Sequence, residues 1–248
     1  NSNYLYEYHV THNQLEKYLL KGGQKIEQVA KAEKMDLQAI VDKEEALYVF
    51  GSGSTPAREL GFSISKGNKQ VSTIHLGRLY EAMRSLAQID RGDFNIEGVA
   101  QYKNTWLFLN RGNGPAGRNV IFTVQGNDLT KGFRLAFNEI CLPQIDGRSF
   151  GFSDATIVAD TLFFVATSEE GKSTYHDGKV GGTLFGAIDM ATRQIHFTCM
   201  VSGSQKFEGI TLYKTEAGKT SFLLCEDDDG SSDSTAIYLL DVAANSFR

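Results

Sequence analysis

Short apolar runs separated by glycine-, asparagine- and aspartate-rich turns fill this chain, and their order repeats. The clearest unit opens with Phe94-Asn95-Ile96-Glu97-Gly98-Val99-Ala100. An apolar run, Thr105-Trp106-Leu107-Phe108-Leu109, follows it, then a polar loop, then Asn119-Val120-Ile121-Phe122-Thr123-Val124. Weaker copies of the opening phrase stand at Met35 to Ile40, Gly151 to Thr156 and Lys206 to Thr211. Aligned on one polar residue, the anchors are Gln38, Glu97, Asp154 and Glu208, at intervals of 59, 57 and 54 residues. A nearly fixed interval points to one structural unit used several times.

Each anchor phrase leads into the same grammar. Second runs are Ala46 to Phe50, Thr105 to Leu109, Thr161 to Val165 and Ser221 to Leu224. Third runs are Glu59 to Ile64, Asn119 to Val124, Gly182 to Ile188 and Ala236 to Leu240, and more polar fourth runs include Gln70 to Leu76 and Gln194 to Met200. Short β-branched and aromatic runs bounded by Gly, Asn and Asp read as strands. Four antiparallel strands per repeat, stacked radially, is the β-propeller plan. The expected fold is all-β, a single propeller domain over residues 1–248. Four anchors plus a half unit at the start give five blades, with six as the alternative. That half unit is the hairpin pattern Asn3 to Tyr8 and Gln14 to Leu20, joined at Thr11-His12-Asn13. It reads as the third and fourth strands of a first blade that is incomplete at the N-terminus, its anchor lying upstream of Asn1.

Two stretches leave the strand pattern. From Leu76 to Ala87 the apolar residues Leu76, Leu79, Tyr80, Met83, Leu86 and Ala87 fall at helical spacing. This predicts a short surface helix between blades, stopped at Arg91-Gly92. Lys131 to Gly147 reads as an outer strand and a connector.

Composition narrows the classes. An apolar share of 41% with 25 glycines and three prolines suits a globular chain with many tight turns. The formal charge is −5 and no Lys/Arg run stands out, which speaks against nucleic-acid binding. No apolar run reaches the ~18 residues of a membrane-spanning helix. Cys141, Cys199 and Cys225 are odd in number and lack CxxC spacing, so neither a disulfide framework nor a zinc site is expected. Cys199 and Cys225 lie in strand-like runs and are expected as buried free thiols. Oligomeric state and compartment are not read from the sequence, which leaves cytoplasmic, periplasmic and secreted locations open.

Candidate chemistry gathers at the anchors and at the loops after the second strands. First strands of propeller blades line the central channel, so Gln38, Glu97, Asp154 and Glu208 would converge there, with Asp36 and Asn95 pointing the same way. Converging carboxylates need compensation by protonation, a basic side chain, backbone N–H groups or a cation. A calcium site from Glu97, Asp154, Glu208 and Asp227 is one candidate; hydrogen bonds to a neighbouring blade's loop are the plainer alternative. The loops Gly51 to Arg58 and Asn110 to Asn119 share a plan of Gly and small polar residues, then Pro, then Arg. Arg58, Arg111, Arg118, Asn113, His176, Asp177 and Lys179 are the candidate ligand residues, suited to a small anionic ligand. Against that, Arg58 and Arg118 could simply make salt bridges between blades. Glu226-Asp227-Asp228-Asp229-Gly230 does not meet EF-hand spacing. No nucleophile–base pair is apparent.

At SGSTPAR, NIEGVA, LNRGNGPAGRNVIF, GFSDATI, KFEGI and EDDDG the chain resembles a family of uncharacterised bacterial β-propeller proteins, similar in turn to the propellers named for the esterase-like activity of phytase. The resemblance runs from about Asp36 to Asp241 and implies a propeller fold and a bacterial source. Phytase-type propellers gather acidic residues on one face to hold calcium and phosphate, and Glu97, Asp154, Glu208 and Asp227 are loose analogues. Two functions follow: a ligand-binding or scaffold propeller, and a calcium-dependent phosphoester or ester hydrolase.

Overall fold

A computed structural model describes residues 4–20, 34–114, 116–169, 180–227 and 236–243. Its architecture is all-β. The first four-stranded sheet runs β3 (Leu37–Lys43), β4 (Ala46–Gly51), β5 (Leu60–Ser65) and β6 (Val71–His75). The second runs β7 (Ile96–Tyr102), β8 (Thr105–Asn110), β9 (Val120–Gln125) and β10 (Arg134–Glu139). The third is β11 (Gly151–Val158), β12 (Thr161–Glu169), β13 (Val180–Asp189) and β14 (Ile195–Ser202), and the fourth is β15 (Phe207–Glu216), β16 (Lys219–Glu226) and β17 (Ile237–Ala243). Every sheet is an antiparallel meander in chain order.

These four sheets are arranged as the blades of a β-propeller. Their first strands form the hub: β3 packs on β7, β7 on β11 and β11 on β15. Five blades, or six, are not supported. β1 (Tyr4–His9) and β2 (Gln14–Leu19) do form the predicted hairpin, turning at Asn13 with φ 50°. But they make a sheet of two strands, and no hub strand accompanies them among the described residues. The hairpin covers the first blade instead: Leu5 and Leu20 pack against Met35, Val49, Phe62 and Ile64.

Strands at blade centres are apolar on both faces because each blade is sandwiched. On β8, Trp106 and Phe108 face the first blade's Phe50, while Leu107 and Leu109 face the third blade's Phe152 and Phe164. On β12 and β13, Leu162, Phe164 and Leu184 turn back to the second blade, and Phe163, Val165 and Phe185 turn forward to Phe222 of the fourth. Alternating side chains thus feed two separate cores from one strand. Edge-on aromatic pairs fill the gaps; Phe50 and Phe108 meet with ring centroids 5.2 Å apart, and Phe152 and Phe164 also at 5.2 Å.

The predicted helix is α1 (Gly77–Ala87), joining β6 to β7. It buries Leu79, Tyr80, Met83 and Ala87 in the core between the first two blades. The Tyr80 hydroxyl donates to the Gly51 carbonyl at 2.7 Å. The helix stops earlier than Arg91-Gly92, at Gln88, whose left-handed backbone lets Ile89 N–H reach the Arg84 carbonyl. The three cysteines are free but exposed, against the expectation for Cys199 and Cys225. Cys199 stands on β14, the outer strand of its blade, and Cys225 next to the end of β16.

Candidate functional site

A β-bulge opens every hub strand at the same place. Pairing slips between Leu37 and Ala39, between Ile96 and Gly98, between Phe152 and Asp154, and between Phe207 and Gly209. The residues left over are Gln38, Glu97, Ser153 and Glu208. A bulge re-aims one side chain without ending the strand, which is why such features sit beside sites. It also corrects the sequence alignment by one residue. Ser153, not Asp154, is the third blade's counterpart of Glu97. Asp154 instead turns to the fourth blade, where its Oδ2 accepts the Ile210 N–H at 2.9 Å.

Two residues before each bulge stand Asp36, Asn95, Gly151 and Lys206. Their backbones repeat one contact: the Asp36, Asn95 and Lys206 carbonyls accept the N–H groups of Ser52, Arg111 and Asp227 at 2.9, 2.8 and 2.9 Å. Those three donors are the first residues after β4, β8 and β16. The starts of these three loops are therefore tied to the mouth of the hub, on one face.

Arg111 is the centre of this face. Its guanidinium is buried and reaches three blades. Nη1 lies 3.7 Å from Glu97 Oε1 and 3.5 Å from Glu208 Oε1. Nη2 lies 3.2 Å from Glu169 Oε1 and donates to Thr167 Oγ1 at 2.8 Å. Lys206 Nζ, also buried, sits 2.8 Å from Glu169 Oε1, 2.9 Å from Glu208 Oε1 and 3.9 Å from Asp227 Oδ2. Asn95 Nδ2 donates to Glu97 Oε1 at 2.6 Å, and Ser153 Oγ shares a hydrogen bond with Thr167 Oγ1 at 2.8 Å. A second cluster lies in the first blade: Asp36 Oδ2 accepts from Arg58 Nη1 and from Ser52 Oγ, both at 2.7 Å.

Burial sets the protonation pattern. It pushes the Glu97 carboxyl up to about 8; Glu208 and Asp36 add to the rise, and Arg111 and Lys206 oppose it. Burial raises Glu208 as well, against the pull of Lys206 and Arg111. Burial also works against ionisation of Glu169, but Arg111 and Lys206 outweigh it and hold that carboxyl below its ordinary range. With Glu97 neutral near pH 7, the cations Arg111 and Lys206 face the Glu169 carboxylate and the Glu208 carboxyl group. Asp154, away from this cluster, is pushed up to about 8 by burial, with the Ile210 and Ala155 N–H groups opposing.

The other sequence candidates divide. Arg58 pairs with Asp36 of its own blade. Arg118 leaves the hub altogether, binding Glu139 Oε2 at 2.9 Å and the Ala87 carbonyl at the end of α1 at 2.8 Å. It closes a helix C-terminus, where a cation is favourable. Arg111 does bridge blades, through Glu169 and Glu208. Asn113 follows it in the loop, half-buried, its Oδ1 without a hydrogen-bond partner among the described residues. His176, Asp177 and Lys179 lie outside the described residues, as does the acidic loop beyond Asp227. Of the calcium candidates, Glu97 and Glu208 meet at Arg111, Asp227 stands behind Lys206, and Asp154 faces backbone N–H groups. Arg111 and Lys206 supply the positive charge that a cation at these carboxylates would supply. Lys206 and Gly151 were not singled out from the sequence, although aligning the position two before each anchor finds both.

Apart from Glu169 Oε1, which is ion-paired with Arg111 and Lys206, two buried polar atoms at the hub, Asn95 Oδ1 and Arg111 Nε, have no hydrogen-bond partner among the described residues. No histidine of the described residues reaches this face: His9 lies in β1, His75 in β6, His196 in β14 and His12 in the hairpin turn. The hub can thus bind and orient polar groups, and Glu97 can hold or release a proton near neutral pH. No helix of the described residues is long and apolar enough to cross a membrane.

A search of curated proteins finds no match to this chain. Residues 1–242 match a family of unknown function designated DUF6929, and the chain belongs to that family.

Proposed function

We propose that this protein is a non-catalytic binding propeller, with its site on the loop face around Arg111, Lys206 and Glu97. The observation that carries the reading is the pair of unmet buried atoms, Asn95 Oδ1 and Arg111 Nε. Buried polar atoms in folded proteins rarely go without partners, and those that do often face a ligand or water. One is an acceptor and the other a donor, so the ligand that suits them is small, polar and carries both kinds of group. A simple anion fits less well, because Glu97, Glu169 and Glu208 already surround the Arg111 guanidinium.

The test is a thermal-shift screen of the full chain against neutral polyols, zwitterions and small anions, with hits measured by calorimetry. Saturable binding of one class, weakened tenfold or more in Asn95→Leu, is the expected result. Absence of saturable binding by every class overturns the reading. Calcium-dependent turnover of p-nitrophenyl phosphate or phytate, lost in Glu97→Gln, would replace it with the hydrolase.

A further inference from the structure

The hairpin outside the hub carries its own constellation. Antiparallel register sets Glu7 directly opposite Glu16 and His9 opposite Gln14. Residues two apart on a strand share a face, so Glu7, His9 and Glu16 stand together. Their ligand atoms all lie within 4.8 Å of one another. Leu5, on the same face, packs against the first blade, so the trio looks toward that blade's β5–β6 turn. From that turn Lys69 Nζ reaches Glu7 Oε2 at 3.3 Å and lies over the Tyr18 ring.

We propose that Glu7, His9 and Glu16 bind one divalent transition-metal ion, with zinc the best chemical match. Two like charges placed opposite each other across a strand pair destabilise it unless something compensates. A dication bound between them would remove that repulsion. An imidazole nitrogen is foreign to the oxygen cages of calcium and magnesium but ordinary for zinc, copper and nickel. Zinc takes nitrogen and carboxylate oxygen at about 2.0–2.2 Å, so tetrahedral ligand atoms stand roughly 3.4 Å apart. Small rotations of these side chains would close the present spacing to that value. Tyr18 supports the arrangement from outside: its hydroxyl donates to Glu16 and also interacts with Glu7. Such outer partners fix the orientation of ligating carboxylates. Three protein ligands leave a fourth position to water, as in open zinc sites. Lys69 is the competitor that the metal displaces from Glu7.

The experiment is calorimetric titration of the tag-free, EDTA-stripped full chain with Zn²⁺, and separately with Ca²⁺. The expected result is one Zn²⁺ per chain, bound at least tenfold more tightly than Ca²⁺. Affinity should fall threefold or more in both His9→Ala and Glu16→Gln. His9 is half-buried and Glu16 exposed, and the melting temperature in EDTA checks that each variant is folded. A missing saturable Zn²⁺ isotherm, tighter binding of Ca²⁺, or a smaller loss in either variant overturns the proposal.

Discussion

Arg111 lies across Gly151: a Cβ placed on Gly151 would fall 2.6 Å from Arg111 Cγ and 3.2 Å from the Gly112 nitrogen. The third blade has no side chain two residues before its bulge because the second blade's arginine occupies that space. Gly151→Ala should therefore push the guanidinium away from Thr167 and Glu169. Overpacking of this kind costs about 1–3 kcal/mol. In a domain of this size each kcal/mol is worth roughly 2–4 °C in melting temperature. Gly67→Ala is the control, since nothing stands within 4 Å of a Cβ there, and its effect should stay within about 0.5 kcal/mol.

Removing the guanidinium itself should cost more. Arg111→Leu leaves Glu169 and Glu208 with Lys206 alone, and breaking a buried ion pair from one side costs about 3–5 kcal/mol. Adding Glu208→Gln should recover part of that loss, because the two changes share one network and are not additive. Urea unfolding of the two singles and the double gives the coupling. Additive losses would mean that Arg111 holds the blades through its packing rather than its charge.

Much of this was readable before any coordinates. The strand grammar placed the blade strands, the hairpin and α1 correctly, because period-2 and period-3.6 patterns respond to burial directly. Strand alternation also points Glu97 and Glu208 the same way, and both lie beside Arg111. What escaped was whatever depends on register. Ser153 and Asp154 differ by one residue, and only the bulge decides which faces the axis. Arg58 and Arg118 occupy like places in their loops, yet Arg58 turns in to Asp36 and Arg118 out to Glu139 and the Ala87 carbonyl at the end of α1. Cys199 and Cys225 sit in strand runs yet are exposed, because Cys199 is on an outer strand and Cys225 next to a strand end. Blade number is a property of the ring, and an isolated hairpin pattern does not reveal whether a hub strand goes with it.

Tyr80 anchors α1 to the first blade through a single buried bond to the Gly51 carbonyl. Tyr80→Phe keeps the ring against Phe94 and Phe108 and deletes only the hydroxyl. Leaving a buried carbonyl without its donor costs about 1–3 kcal/mol. Chemical unfolding should show that loss, and hydrogen exchange should show faster opening of α1. An unchanged midpoint would mean that β4 and β5 satisfy the carbonyl without the tyrosine.

Glu97 gives the hub a stability profile that runs opposite to that of a surface acid. Its folded-state carboxyl titrates near 8, raised chiefly by burial, whereas the unfolded chain restores the ordinary value of 4.5. Between those values the folded protein holds a proton that the unfolded chain has lost. By linkage, stability then falls as pH rises through this window and levels off above it. Asp154, also pushed up to about 8, adds a fall of the same sign. Glu169 acts oppositely: held below its ordinary range, it contributes stability that is present above that range and lost as pH falls through its folded value. The melting temperature should therefore peak on the mildly acidic side and decline toward pH 8, by several degrees if each kcal/mol is worth roughly 2–4 °C. Glu97→Gln imitates the neutral acid and keeps an oxygen for Asn95 Nδ2. It should flatten the decline, leaving the slope due to Asp154, and at pH 8 should melt higher than the parent. A variant that keeps the parent's full slope would show that Glu97 is ionised at neutral pH, with the hub's positive charge committed to it instead of to Glu169 and Glu208.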